Sequence, residues 1–319
     1  MQTTLGVLET VLLILTILVA LAVLATALLA LIRLLKGKRG GKGRHDAELD
    51  LVHLDRDLAR RVREVQRSLL PEKERKKFPK EKHEKSYDST VFVLDFNPGL
   101  RAHEVDTLRK EIDIIAQVAT PKDEVVVRID SPGGTVTGYG HAASQLLRVH
   151  DAGIPLTICV DEVAASGGYM CAAVADKIIA APFAYIGSIG VVAGMPNFVG
   201  LMNKLGVRYL ELTAGENKRT LTPFSEPTPQ KEAVELERLE AIHNAFKSLI
   251  KQRRPNLDIN KVADGNYWLA VDAKELGLVD IIQTSDEYLI EQSKANRRIL
   301  KISYKREKKQ ISKLLDALG

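Results

Sequence analysis

The sequence predicts an α/β fold with a largely parallel sheet, tethered to a membrane by one N-terminal helix. Three observations carry this. Short runs of Val, Ile and Leu alternate with helical patterns from residue 91 onward. A stretch of 23 residues near the N-terminus carries no charge. Basic residues crowd the two flanks of a chain whose middle is acidic.

The uncharged stretch runs from Thr10 to Ile32 and is almost entirely Leu, Ala, Val and Ile. As a helix it is about 35 Å long, enough to cross the hydrocarbon core of a bilayer. A cleaved secretory leader carries positive charge before a shorter apolar run. Here Arg33, Lys36, Lys38 and Arg39 follow the run, so residues 1–35 read as a retained anchor. Residues 36–85 then hold 17 Lys/Arg against 10 Asp/Glu. Within them GKRGGKG (37–43) is a hinge, and residues 46–70 place Leu51, Leu54, Leu58, Val62, Val65 and Leu69 three or four apart. That spacing predicts an amphipathic helix packed on a partner or on its own catalytic domain. The Lys/Glu-rich stretch 71–85 has little to bury and reads as a solvated linker.

From Ser86 the pattern changes. VFVLDF (91–96), EVVVRID (124–130), LTICVD (156–161), KIIAA (177–181) and GVRYLEL (206–212) read as strands. Their near-continuous apolar content implies burial on both faces, as in layered α/β proteins. A helix is predicted from about Ala102 to Val118. A longer one starts at Thr228, a capping residue followed by Pro229, and stops before Pro255. The domain is drawn at residues 86–293, with 294–319 as a basic tail.

The composition excludes several function classes. With 45% hydrophobic and 27% charged residues, the chain is neither disordered throughout nor collagen-like. Cys159 and Cys171 are too few for a disulfide framework and sit in apolar runs, so they read as buried thiols. No cysteine or histidine spacing suggests zinc, and neither a metal nor an organic cofactor is expected. Residues 86–293 hold 19 Lys/Arg against 28 Asp/Glu, a poor surface for nucleic acid. The basic flanks suit a lipid surface.

Two short segments carry the chemistry. Ser131-Pro132-Gly133-Gly134 follows a predicted strand; Pro-Gly suits a tight turn, and a second Gly leaves backbone N–H groups open to a ligand. It is a plain turn or part of an oxyanion hole. Ala164-Ala165-Ser166-Gly167-Gly168 lies between a strand and a helix, where Ser166 is an N-cap or a nucleophile. A nucleophilic Ser needs a base. No His lies between Ser166 and His243, and His141 and His150 read as surface residues. Lys218, in Gly215-Glu216-Asn217-Lys218, is the alternative base, or else a solvated surface charge. A lysine acts as a base only where burial drives off its proton.

Taken together, the ordered set SPGG, ASGGYM, GSIG and GENKRT resembles the signal peptide peptidase A family of Ser/Lys proteases, and within it the SohB-type inner-membrane peptidases. The resemblance covers roughly residues 91–290 and extends to the anchor. It implies a crotonase/Clp-protease-like core of repeated β-β-α units. It puts the nucleophile on Ser166, the general base on Lys218 and a lysine-orienting hydroxyl on Ser188. The oxyanion donors it implies are Gly167 N–H with that of Gly133 or Gly134. It also implies hydrolysis of hydrophobic peptides, such as signal-peptide remnants or damaged membrane segments, by a homo-oligomer. Two segments depart from the family pattern, Ser225-Glu226-Pro227 and Asn266-Tyr267-Trp268-Leu269; neither is expected to touch the dyad. Competing readings are a crotonase-like acyl-CoA hydratase or isomerase using Glu162, and a non-catalytic membrane-anchored scaffold. The expected location is a bacterial inner membrane. The positive charge after the anchor places the domain in the cytoplasm, whereas the resemblance favours the periplasmic face.

Overall fold

A computed structural model describes residues 48–79, 86–215 and 217–305. The predicted anchor at 10–32 lies outside the described residues, among which no helix is long and apolar enough to cross a membrane. The strands are β1 (Glu48–His53), β2 (Ser89–Phe96), β3 (Glu124–Ile129), β4 (Leu156–Val160), β5 (Val163–Ala165), β6 (Lys177–Ala180), β7 (Tyr185–Gly187), β8 (Tyr267–Leu269), β9 (Ile281–Ile282) and β10 (Arg297–Lys305). The helices are α1 (Leu54–Leu69), α2 (Glu72–Arg75), α3 (Val105–Val118), α4 (Val136–Asp151), α5 (Gly167–Ala172), α6 (Val199–Lys204), α7 (Pro229–Arg253), α8 (Ile259–Val262), α9 (Ala270–Glu275) and α10 (Ser285–Lys294).

The fold is mixed α/β around a parallel-rich sheet ordered β1-β10-β2-β3-β4-β6-β9, with every pair from β10 to β9 parallel. The continuous apolar runs are explained by two buried faces. Phe92, Leu94 and Phe96 of β2 and Val125, Val127 and Ile129 of β3 point into the larger core with α3 and α4. Their neighbours Val91, Val93 and Val126 point the other way, onto Tyr288 and Leu289 of α10. A small sheet, β5-β7-β8, stands beside the main one and is joined to it through the bridge between Ser131 and Ala164. The SPGG and ASGG segments meet at this junction.

Three expectations are corrected. GVRYLEL (206–212) is not a strand; the chain there is irregular, and Leu210 and Leu212 are about four-fifths exposed (79% and 85%). Residues 48–53 open the segment predicted as one helix, but they form an edge strand, and the helix begins only at Leu54. Part of the basic tail, residues 297–305, is β10, an inner strand of the main sheet. Its charges hid it. Arg297 is neutralised by Glu124 at 2.5 Å and Lys301 by Asp95, while Ile299 and Ile302 supply the buried positions.

The long helix α7 starts as predicted, with the Thr228 side chain accepting the Lys231 N–H. Of its apolar face only the C-terminal half is anchored, through Phe246 and Ile250; Leu236 is 57% exposed. Helix α1 likewise docks at its first turn, where Tyr87 Oη donates to Asp55 at 2.6 Å, and leaves Val62, Val65 and Leu69 exposed.

One buried acid predicts a pH dependence of stability. Glu111 on α3 is nearly inaccessible, and burial raises its carboxyl from the ordinary 4.5 to about 7, against a Tyr304 backbone hydrogen bond that favours the ionised form. The folded state therefore holds this proton more tightly than the unfolded chain. Its contribution is complete below pH 4.5 and is lost as the pH rises toward 7. The shift corresponds to about 3 kcal/mol. Glu111→Gln is expected to raise the midpoint of urea unfolding at pH 8 and leave it unchanged at pH 4. Equal effects at both pH values would refute this.

Candidate active site

Ser166 sits where β5 hands over to α5. Its backbone is forced into φ 51°, ψ −118°, a conformation non-glycine residues rarely adopt. Two hydrogen bonds hold it there. Its N–H donates to the Gly187 carbonyl at 2.7 Å, and its own carbonyl accepts from Met170 at 2.9 Å. Strain of this kind persists only where the surroundings over-determine it, and it gathers at reactive positions.

The SPGG turn is stitched alongside. Ser131 N–H donates to Val163 and its carbonyl accepts from Ala165, so the turn lies against β5. Tyr139, wholly buried, fills the space beneath and binds Ser131 Oγ at 2.6 Å through its hydroxyl, which also donates toward the carbonyls of Pro98 and Gly99. Burial pushes the Tyr139 phenol up, so it stays protonated at neutral pH. The glycines here are steric requirements. A Cβ on Gly133 would stand 2.8 Å from Gly167 N and Ser166 Cβ, and one on Gly167 would stand 2.4 Å from the Tyr139 ring.

Gly134, Ser166, Gly167 and Ser188 all line one cavity of about 460 Å³. Gly133 does not line it, and its N–H donates inward to Ser131 Oγ at 3.1 Å. Gly167 is the first residue of α5, so its N–H has no place in the helical ladder. Ser188 is the second strained serine, with φ 52°, and its N–H donates to the Asn266 carbonyl at 2.6 Å. Asn266 is braced in turn by Asp264, whose carboxylate accepts from Asn266 N at 3.0 Å and Nδ2 at 2.6 Å. The 266–269 segment, expected not to touch Ser166 or Lys218, supports Ser188: Tyr267–Leu269 form β8 against β7, and the Trp268 ring packs on Gly187.

Lys218 is not brought to this cavity. It lies in an exposed loop, its N–H bonded to Gly215 O at 3.1 Å, outside the cavity lining. Glu162, the acid required by the hydratase reading, is also exposed and outside the lining. Ser225 and Glu226 border a different cavity with Tyr209 and Phe224. Cys159 and Cys171 are buried, as expected; burial raises Cys159 to about 12 and Cys171 further, so neither is a thiolate at neutral pH. Sequence reasoning missed His243, which lines the Ser166 cavity from α7 beside Ile242 and Phe246. The only available signal was its place on the helical face that carries them.

Residues 148–298 match peptidase family S49, and residues 7–146 match the N-terminal part of that family. The "Probable protease SohB" of Buchnera aphidicola (Acyrthosiphon pisum strain) is 47% identical over 225 residues, covering 70% of this chain and 67% of that protein. The chain belongs to peptidase family S49. The "Probable protease SohB" of Haemophilus influenzae is 49% identical over 223 residues, 70% of this chain and 63% of the relative, so the S49 chain spans under two thirds of that protein's length. In S49 terms, the matched regions hold the strained Ser166 and the glycine turn that faces it.

Proposed function

We propose that this S49 chain is a membrane-anchored serine endopeptidase, with Ser166 as nucleophile and Lys218 as general base on a crotonase/Clp-like core. The observation that carries the reading is Ser166, held at positive φ at a helix start, beside Gly134 and Gly167 in one cavity. Ser166 Oγ attacks the scissile carbonyl while the Lys218 amine takes its proton. The N–H groups of Gly167 and Gly134 hold the oxyanion of the tetrahedral intermediate, in preference to Gly133, whose N–H is already engaged. Expulsion of the amine leaves an acyl-enzyme, and Lys218 activates the water that releases it. No step calls for a metal or organic cofactor.

Lys218 must move onto the cavity for this chemistry, and its surroundings suggest how. The 192–224 segment that leads to it exposes Val192 (92%), Leu205 (69%) and Leu210 (79%), a surface that calls for a covering partner. A homo-oligomer packed through this arm buries it and carries the Lys218 loop against a Ser166 cavity. The full-length chain in detergent is expected to sediment as an oligomer; a fully active monomer refutes this part. Substrates on this reading are hydrophobic peptides, in keeping with the mainly apolar cavity walls of Met170, Val191, Ile242 and Phe246. The predicted anchor holds the domain at a bacterial inner membrane. Protease digestion of spheroplasts assigns the side, degradation with an intact cytoplasmic marker placing the domain outside.

The test of the chemistry is covalent labelling. A fluorophosphonate probe is expected to label the protein at Ser166, identified by peptide mass, and labelling elsewhere or none rejects the assignment. Ser188→Ala is expected to slow turnover about tenfold and spare KM, because its hydroxyl orients the lysine amine and does not react. A loss as complete as that from removing Ser166 gives Ser188 a larger role.

A further inference from the structure

Helix α1 carries an apolar stripe that the described residues leave largely uncovered. The stripe begins at Leu54, which packs against the core layer of Val91, Val93 and Ile299, and continues through Leu58, Val62, Val65 and Leu69. Exposure climbs along it, from 40% at Leu58 to 79% at Leu69, so the helix starts on the domain and runs off it. At about 3.6 residues per turn these five positions share one face, and Arg56, Arg60, Arg63 and Arg67 gather on the opposite one. The chain that follows folds back on the arginine side. Arg75 donates to the carbonyls of Leu70 and Ser68 at 2.8 and 2.9 Å, and Arg63 donates to the Pro79 carbonyl and lies over the Phe78 ring. Arg60, Arg63, Arg67 and Arg75 line one cavity with Phe78. That return braces the polar side of α1 and leaves the apolar side facing outward.

We infer that α1 docks on an anionic bilayer, lying in the plane of the interface with Leu58, Val62, Val65 and Leu69 in the outer acyl layer. The inference rests on the membrane-anchored part of the function proposed above. Two observations select this occupant over a protein partner. The first is chain length. Residues 33–47 alone join the predicted anchor to β1, and α1 follows β1 directly. Such a joint reaches at most about 55 Å, so the anchor keeps a bilayer close to the stripe at high effective concentration. The second is charge. α1 holds five Arg against three Asp/Glu, and the joint holds six Lys/Arg against Asp46 alone. Anionic headgroups attract a segment of that sign, whereas a second copy of it is repelled, as is the tail 306–319 with four Lys/Arg against two Asp/Glu. A helix with one apolar face and an arginine-rich opposite face lies in the interface. At 16 residues α1 is also too short to span, since it measures about 24 Å.

The test uses the full chain in vesicles of phosphatidylethanolamine and phosphatidylglycerol. Val65→Cys, Arg67→Cys and Leu21→Cys each carry one nitroxide; Cys159 and Cys171 are buried and stay unlabelled in the folded protein. Val65 and Arg67 are both exposed, so neither substitution disturbs the core. Each label is challenged with dissolved oxygen, which concentrates in the acyl layer, and with a nickel chelate, which stays in water. The ratio of oxygen to nickel accessibility is expected to be several-fold higher at position 65 than at position 67. In vesicles of phosphatidylcholine alone the ratio at 65 is expected to fall, while that at 21 stays high. A label at 65 open to the nickel chelate overturns the inference. So does one shielded from both reagents, as under a second copy or the tail, and so does a ratio at 65 that ignores lipid charge. A label at 21 that remains open to nickel defeats the anchored reading instead, and the label at 65 still decides where α1 lies.

Discussion

Ser166→Ala and Lys218→Ala are each expected to remove nearly all hydrolysis of a hydrophobic peptide, a loss of at least about a thousandfold in kcat. A nucleophile and its base act as a unit. Without Lys218 the Ser166 hydroxyl keeps its proton and stays a weak nucleophile; without Ser166 no acyl-enzyme forms. The loss should fall on kcat, because the cavity walls that hold the substrate side chain are untouched. Chelators should leave activity unchanged. The Lys218 result is the more informative, since its loop stands exposed outside the cavity lining in the single chain. Retention of even a tenth of wild-type turnover by Lys218→Ala would falsify its assignment as the base. Mixing the two inactive variants adds a check on assembly: any recovery of activity means that serine and lysine meet from different copies.

Gly167→Ala and Gly134→Ala are expected to be the most destabilising small substitutions in the domain. A Cβ on Gly134 falls 2.1 Å from the Leu100 carbonyl oxygen and 2.7 Å from the Tyr139 ring, and one on Gly167 falls 2.4 Å from the same ring. Neither neighbour is free to yield. Tyr139 is wholly buried and tied by its hydroxyl to Ser131, and Leu100 O accepts the Thr135 N–H at 2.8 Å. Overpacking against such fixed groups costs about 3 kcal/mol or more, and here it also displaces the two proposed oxyanion donors. Thermal unfolding of the purified variants should show a drop of several degrees, with labelling of Ser166 lost in whatever remains folded. Gly140→Ala is the control. Its Cβ meets nothing within 4 Å, and alanine in a helix interior gains about 0.5–1 kcal/mol over glycine. Wild-type melting of Gly167→Ala would show that Tyr139 can move, and with it the turn.

Much of this protein was legible in its residues because the signals are local. The apolar runs in β2, β3, β4 and β6 mark strands buried on both faces, and the Thr228-Pro229 start marks α7. The second Gly of SPGG reads in the sequence as room for a ligand at the backbone; the structure shows the glycines here as room for one segment against the other, Gly133 packing on Ser166 and Gly168 on Ser131. What stayed hidden depended on partners distant in sequence. Residues 297–305 look like a solvated basic tail until Glu124 and Asp95 are seen to take up their charges, and only then is a strand between β1 and β2 possible. The irregular 206–212 stretch has the composition of a strand, but it finds no neighbouring strand to pair with, and backbone pairing requires one.

At the site the division is the same. Residue types alone left Ser166 as an N-cap or a nucleophile and SPGG as a plain turn or part of an oxyanion hole; the resemblance to a family of Ser/Lys proteases, carried by the ordered motifs, favoured the chemical reading and brought in Ser188. Only tertiary structure distinguishes Gly134 from Gly133, because it shows Ser131 Oγ occupying the Gly133 N–H. Only tertiary structure could bring His243, 77 residues beyond Ser166, to the cavity wall, and show Lys218 standing outside it. Sequence determines which groups have the chemistry; which of them meet is decided by packing, because contacts between distant residues exist only once the intervening chain has folded.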